Sequence, residues 1–207
     1  MKDLNKVYLY RMVHIENISH LLQFGITHWN SVNKNSNYIP IGDNSLINSR
    51  NFTRLSNNEI LGNYIPFYFG SRMPMLLVIQ KGYNEVPITE PEKIVYCIST
   101  VQKIMDLQLD FIFTDGHAVD KTSTIYGLND VHSILNIVDF DAIKAKYWKK
   151  ETDLDLKRRK EAEFLVKTDI PPKGISGYVV YSQTAKDILI ELNIDADKIV
   201  IRPTFYF

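Results

Sequence analysis

Seven strand-like runs are scattered along this chain with helical patterns between them at no fixed interval. That irregularity constrains the fold more than any other feature. "VYLYRMV" (7–13) sets Val7, Leu9 and Arg11 in alternation against Tyr8, Tyr10 and Met12, as a half-buried strand does. "HIENISHLLQFG" follows as a short helix with Ile15, Ile18, Leu21 and Leu22 on one face and Gly25 as its stop. Residues 30–63 are rich in Asn and Ser and read as a long surface segment with one or two helical turns. "NYIPFYFGSRMPMLLVIQKG" (63–82) predicts a strand, a turn and a helix. "EKIVYCIST" predicts a strand, "VQKIMDLQ" a short helix, and "LDFIFTDGH" a buried strand ending in polar residues. Helical stretches follow around 127–138, 140–148 and 153–161. "AEFLVK", "GYVVYS" and "KIVIRPTFYF" predict strands, with "SQTAKDILIELN" a helix between the last two. That helix has Ser182 as N-cap and Ala185, Ile188, Leu189 and Leu192 as its apolar stripe. The absence of a regular strand–helix–strand alternation points to an α+β fold with a mixed sheet rather than a doubly wound one.

A chain of 207 residues that is 45% hydrophobic and 23% charged is expected to form one domain, residues 1–207, with a real core. Cys97 is the single cysteine, which excludes an internal disulfide and any cysteine-rich zinc site; within "KIVYCIST" it reads as a buried, inert thiol. "MKDLNKVYLYRM" has no signal-peptide core, and no apolar run approaches membrane-spanning length, so a reducing cytoplasmic location is expected. The formal net charge is zero, which argues against a protein that coats nucleic acid through charge alone. A local patch is still present. Lys144, Lys146, Lys149, Lys150, Lys157, Arg158, Arg159 and Lys160 crowd a stretch that holds only Glu151, Asp153 and Asp155 among acids. Such a run is more often a solvated face than a nucleic-acid contact.

The phosphate-binding glycine motifs, the H-E-x-x-H metal motif and the G-x-S-x-G nucleophile motif are all missing. His14, His20, His28, His117 and His132 show no metal-ligand spacing, and His20 and His132 read as ordinary helix-surface residues. Four stretches remain. "YRMVHI" puts His14 at a strand end, where a lone histidine is as often structural as functional. "YIPFYFGSRMPM" joins Arg72 to aromatics that are usually core, although Tyr68 and Phe69 have flat faces for stacking. "FTDGHA" sets Thr114, Asp115 and His117 beyond a buried strand as a plausible site rim. "RRKEAEFLV" places Glu163 where a basic, helix-like run gives way to an apolar one, beside Phe164, Leu165 and Val166. A solvated strand-edge carboxylate is the plainer reading of that stretch alone; a carboxylate facing a cleft is the sharper one.

Taken in order, "VYLYRMVHIENISHLL", "YIPFYFGSRMPML", "FIFTDGHA" and "RRKEAEFLV" resemble the DarT family, the DNA ADP-ribosyltransferase toxins of DarT–DarG toxin–antitoxin pairs. The resemblance runs from about residue 7 to the end and is weaker across 28–60. It implies an ADP-ribosyltransferase-like split mixed β-sheet with peripheral helices and NAD in the cleft as a consumed co-substrate, without a metal. It further implies that Glu163 is the catalytic glutamate and that Arg50 or Arg54, with Arg50 preferred, is the second catalytic residue. His14 matches the family's early NAD-contacting histidine; Arg11, Met12, Val13 and Tyr68 would flank the dinucleotide. Arg72, His117, Lys157, Arg158 and Arg159 are the acceptor-DNA candidates. The implied acceptor is thymine or guanine in single-stranded DNA, and the implied partner is a macrodomain antitoxin that reverses the modification, acting on a monomeric enzyme. Transfer to RNA or protein, NAD hydrolysis, and a non-catalytic nucleic-acid-binding module of the same fold are the alternatives.

Overall fold

The computed structural model describes residues 3–55 and 58–207; Ser56 and Asn57 of the Asn- and Ser-rich segment lie outside the described residues. The strands are β1 (Tyr8–His14), β2 (Ile65–Tyr68), β3 (Ile94–Thr100), β4 (Phe111–Thr114), β5 (Ile125–Tyr126), β6 (Glu163–Val166), β7 (Gly177–Val180) and β8 (Ile199–Ile201). The helices are α1 (Ile18–Phe24), α2 (Asn44–Arg50), α3 (Pro74–Lys81), α4 (Val101–Asp106), α5 (Ile134–Ile137), α6 (Phe140–Lys144), α7 (Leu156–Lys160) and α8 (Gln183–Glu191). The strands form one mixed sheet in the order β5-β4-β6-β2-β1-β3-β7-β8, antiparallel everywhere except between β7 and β8. The α+β class read from the sequence is the class of the molecule.

The sheet is nearly divided at its centre. β1 pairs with β3 along its whole length, from Tyr8↔Thr100 to His14↔Ile94, but meets β2 only at Tyr10↔Tyr68. β2 pairs with β6 throughout. Arg11 crosses the gap, its Nη1 donating to the Pro66 carbonyl at 2.9 Å. Period-two alternation sends the two faces of β3 into different cores. Val95 and Cys97 join the main core, whereas Ile94 and Tyr96 pack with Leu76 and Ile79 of α3. The Cys97 thiol is fully buried and burial pushes it up to about 12, so it is inert as the sequence suggested.

Several boundaries differ from the periodicity reading. Gly25 does end α1, with φ +78°, and a Cβ there would stand 1.9 Å from the Ile170 carbonyl, so the close approach to the Ile26↔Ile170 bridge requires glycine. Ser182 does cap α8 by accepting from Ala185 N. Ala185 and Leu189 are buried as expected, but Ile188 is 40% exposed, because nine residues of helix turn only a narrow stripe to the sheet. "KIVIRPTFYF" is a strand only to Ile201; Pro203, which lacks an N–H for a ladder, starts a tight helical turn instead. β5 was not legible, since two residues carry no alternation.

Candidate active site

Glu163 opens β6 and is 1% exposed, so the solvated-edge reading falls. On β6, Phe164 and Val166 enter the main core while Leu165 faces the other side, which puts Glu163 on the Leu165 side. Cross-strand register aligns Tyr10, Tyr68 and Glu163 on that face across three neighbouring strands. A buried carboxylate is tolerated only when its oxygens are satisfied. Oε2 accepts from Arg50 Nη1 at 2.9 Å and Oε1 from the Ala118 backbone N–H at 3.0 Å, with His117 Nε2 at 4.0 Å. The backbone is held as firmly. Glu163 N donates to Thr114 Oγ1 at 3.0 Å, and that hydroxyl donates to the Gly116 carbonyl at 2.6 Å, closing the turn that presents Ala118.

Arg50 is the last residue of α2, a helix formed because Asp43 caps it, accepting from Ser45 N and Leu46 N. The Ser45 hydroxyl is the main reason the Asp43 carboxyl stays below the usual range. The structure therefore brings Arg50, and not Arg54, to Glu163. Arg54 is exposed and points to the Asn58 carbonyl at 3.4 Å.

Two adjoining cavities, about 510 Å³ and 160 Å³, run along the sheet's gap and share Arg11, Tyr38, Pro40, Ile47, Arg50 and Pro66. The larger lies within the ordinary range for small-molecule sites, about 300–1,000 Å³. Val13 lines it, and Met12, Tyr68, His117 and Glu163 line the smaller one. Burial, ahead of the nearby Glu163 charge, raises the Tyr68 phenol well above its ordinary range and keeps it neutral. Arg11 Nε and Arg50 Nη2 are buried without a hydrogen-bond partner, so two guanidinium donors in the cleft wall remain unsatisfied. Such a wall suits an elongated anionic ligand such as a dinucleotide. Among the described residues, no group of three or more His, Cys, Asp or Glu is placed to hold a metal ion.

Other expectations are redirected. His14 is buried outside both cavity linings, and its Nδ1 accepts from Glu16 N to cap the turn Ile15–Asn17. Burial is the main cause that lowers its imidazole pKa. Arg72 is half-buried, with its guanidinium 4.4 Å from the centre of the Phe207 ring. Arg158 and Arg159 are half-buried and tied into ion pairs with carboxylates of their own chain. Arg158 is spent on Asp155, Asp115 and Ser123, and Arg159 on Asp139, Asp153 and Asp155. Of that trio only Lys157 stays largely in solvent, with its side chain 56% exposed and 4.0 Å from Glu161. Burial lifts the Glu161 carboxyl above its usual range against the opposing His117 and Lys157 charges.

Sequence reasoning missed the residues that hold the 28–43 segment over the cleft. Asn17, fully buried, donates to the Ile39 carbonyl at 2.8 Å and accepts from Ile39 N at 2.9 Å. Asp169 accepts from His28 N and the Ser31 hydroxyl, and His28 Nε2 pairs with the Gly62 carbonyl at 2.7 Å. His20 is likewise not an idle surface residue. It lines the larger cavity and binds the Asn33 carbonyl at 2.8 Å. A polar Asn17 sitting between Ile15 and Ile18 was the one available signal.

Comparison with known proteins supplies the context. The family model for the single-stranded-DNA thymidine ADP-ribosyltransferase DarT matches residues 10–207. A DNA ADP-ribosyl transferase of an enteropathogenic Escherichia coli strain is 29% identical over 185 residues, 87% of this chain and 83% of that protein. DarT of Thermus sp. 2.9, solved with ADP-ribosylated single-stranded DNA, superposes with TM-score 0.85 at 27% identity over 100% of both chains. The same protein solved with NAD+ gives a TM-score of 0.79 at 27% identity, over 97% of this chain and 98% of that one. A DNA ADP-ribosyl transferase–DNA ADP-ribosyl glycohydrolase fusion protein of Thermosipho africanus is 29% identical over 202 residues, 96% of this chain and 49% of the fusion.

Proposed function

Because this chain belongs to the DarT family of single-stranded-DNA thymidine ADP-ribosyltransferases, we propose that it transfers ADP-ribose from NAD to a base of single-stranded DNA, releasing nicotinamide, with Glu163 and Arg50 as its catalytic residues. The observation that carries the assignment of residues is a carboxylate 1% exposed, yet paired with Arg50 and the Ala118 N–H at the inner end of the cleft.

Breaking the bond between nicotinamide and ribose builds positive charge on the ribose, as in the oxocarbenium-like transition state of glycoside hydrolysis. The Glu163 carboxylate, held by Arg50 and Ala118, is a fixed negative charge placed to accept from a ribose hydroxyl and stabilise that charge as it develops. A base nitrogen then forms the new bond to the ribose carbon, and the proton it sheds passes to Glu163 as general base. Arg50 orients the carboxylate and offers its unpaired Nη2 to the substrate. Arg11, Met12, Val13 and Tyr68 wall the dinucleotide, and His117 with Lys157 faces the acceptor. The enzyme acts as a cytoplasmic monomer opposed by a macrodomain-type glycohydrolase, a pairing that the Thermosipho fusion protein supports.

The test is incubation with NAD labelled in the ADP-ribose moiety and separate single-stranded DNA, RNA and protein acceptors. Label should enter DNA alone, and Glu163→Gln should abolish transfer while NAD binding by calorimetry and the melting curve stay near wild type. Label in RNA or protein, or free ADP-ribose as the sole product, would replace this reading.

A further inference from the structure

Arg158 touches the turn that serves Glu163 at three successive residues, Asp115, Gly116 and His117. Its Nη1 donates to Asp115 Oδ1 and to Ser123 Oγ, each at 3.1 Å, while its backbone carbonyl accepts from His117 N at 2.9 Å. The side chain passes close against Gly116, where a Cβ would stand 2.2 Å from Nη1 and 2.9 Å from Cγ. Asp115 in turn accepts from Thr124 N at 2.9 Å, which closes the loop on its far side. Nε and Nη2 are anchored on Asp155 of the preceding segment at 2.6 and 2.9 Å, so the group has a fixed origin on α7 as well as a fixed target. The turn itself delivers His117 and the Ala118 N–H to the Glu163 carboxylate.

We infer that Arg158 is a positioning residue for the transfer step: it clamps the 114–118 turn against α7 so that His117 and the Ala118 N–H keep their distance from Glu163. The inference rests on the transferase reading above and replaces the DNA-contact role first expected of this arginine. Reactions between oriented groups are steep in distance, and a displacement on the order of 1 Å can cost about a hundredfold. A clamp acts on turnover; a DNA contact acts on acceptor affinity and on its salt dependence.

The experiment measures steady-state rates of DNA ADP-ribosylation for wild type, Arg158→Met, Arg158→Lys, Asp115→Asn and the Asp115→Asn/Arg158→Met double variant. Melting curves are recorded for each. The expected result is a turnover loss of about ten- to a hundredfold for Arg158→Met, with KM for NAD and for DNA within about twofold of wild type. Arg158→Lys recovers part of the loss, and the double variant is no worse than its slower parent, because both singles break one link. If Arg158→Met does not fold, Asp115→Asn reports the same link from the surface side. Unchanged saturating turnover with a raised DNA KM and a flatter salt slope overturns the inference in favour of a DNA contact. Additive losses in the double variant overturn it as well. An inactive wild type would instead overturn the transferase reading, so the two failures are separable.

Discussion

The two walls of the cleft are built in different ways. The Glu163 wall is sheet: β6 lies between β2 and β4, and its carboxylate is bonded through Thr114, Ala118 and Arg50 in a site nearly closed to solvent. The opposite wall is the 28–43 segment, which has no strand of its own and hangs on side chains: Asn17 on Ile39, Asp169 on His28 and Ser31, His20 on Asn33. Ladder register cannot shift without losing the core, whereas single side-chain bonds are worth about 0.5–1.5 kcal/mol each and open locally. On the proposed reading, the difference teaches that the reacting charge would be set by the fold, while access for the dinucleotide would be set by a few polar tethers. It assigns turnover to one wall and cofactor affinity to the other.

Four measurements break or sharpen that contrast. The largest effect is expected from Arg50→Ala, which leaves Glu163 buried without its cation; initial rates of nicotinamide release with DNA should fall by on the order of a hundredfold or more. Arg54→Ala, on the same segment but exposed, should remain near wild type, and a reversed order would break the assignment of the wall. Next comes Thr114→Val, which removes one hydroxyl from the rigid wall. It should lower stability by about 1–3 kcal/mol in urea unfolding, since Glu163 N and the Gly116 carbonyl lose their shared partner, and should lower turnover with KM for NAD unchanged. Thr114→Ser should restore both. Asn17→Ala probes the tethered wall and should invert the pattern, raising KM for NAD several-fold, about one lost tether's worth, with saturating turnover nearly intact. A turnover defect there would merge the two walls into one.

The smallest effect concerns the rigid wall's flank. Lys160 is 1% exposed, donates to the Ile143 carbonyl at 2.6 Å, and burial followed by the neighbouring Arg72 charge pushes its ammonium down to about 8. Its unfolded value is 10.5, so between those values the unfolded chain holds a proton that the folded chain lacks. The penalty is fully present below about pH 8 and is relieved as pH rises through the window. Wild-type stability relative to Lys160→Met should therefore improve between pH 7.5 and 10 in paired melting curves, and the opposite slope would show that the fold favours the charged ammonium and would exclude the burial penalty.

What was legible in the sequence follows the same division. Alternation marked β1 and continuous apolar runs marked β3 and β6, and the ordered motifs marked Glu163 and left Arg50 against Arg54 open until α2 was seen to aim one of them inward. The fates of Arg158 and Arg159 were not legible, because their carboxylates come from Asp115 and Asp139, distant in sequence, as well as from Asp153 and Asp155 nearby. A run of cations reads as surface until the anions that fold onto it are known. The local role of His14 was not legible either: its Nδ1 caps the following turn by accepting from the Glu16 amide. The tethers of the loop wall are single Asn, Asp and His contacts, which carry no periodicity to detect.

The near-division of the sheet has a consequence for how the enzyme can be watched. Successive residues of a strand turn their amides to alternate neighbours. Beyond Tyr10, β1 has β3 on one side throughout and no registered β2 partner on the other, only the Arg11 side chain reaching over to Pro66. Alternate backbone N–H groups from Arg11 to His14 thus sit inside a structured sheet with no rung to protect them. Such amides exchange their hydrogen for deuterium far faster than their strand neighbours, and anything that fills the gap slows them. The cleft carries its own isotopic occupancy gauge, readable one residue at a time without a label on protein or ligand.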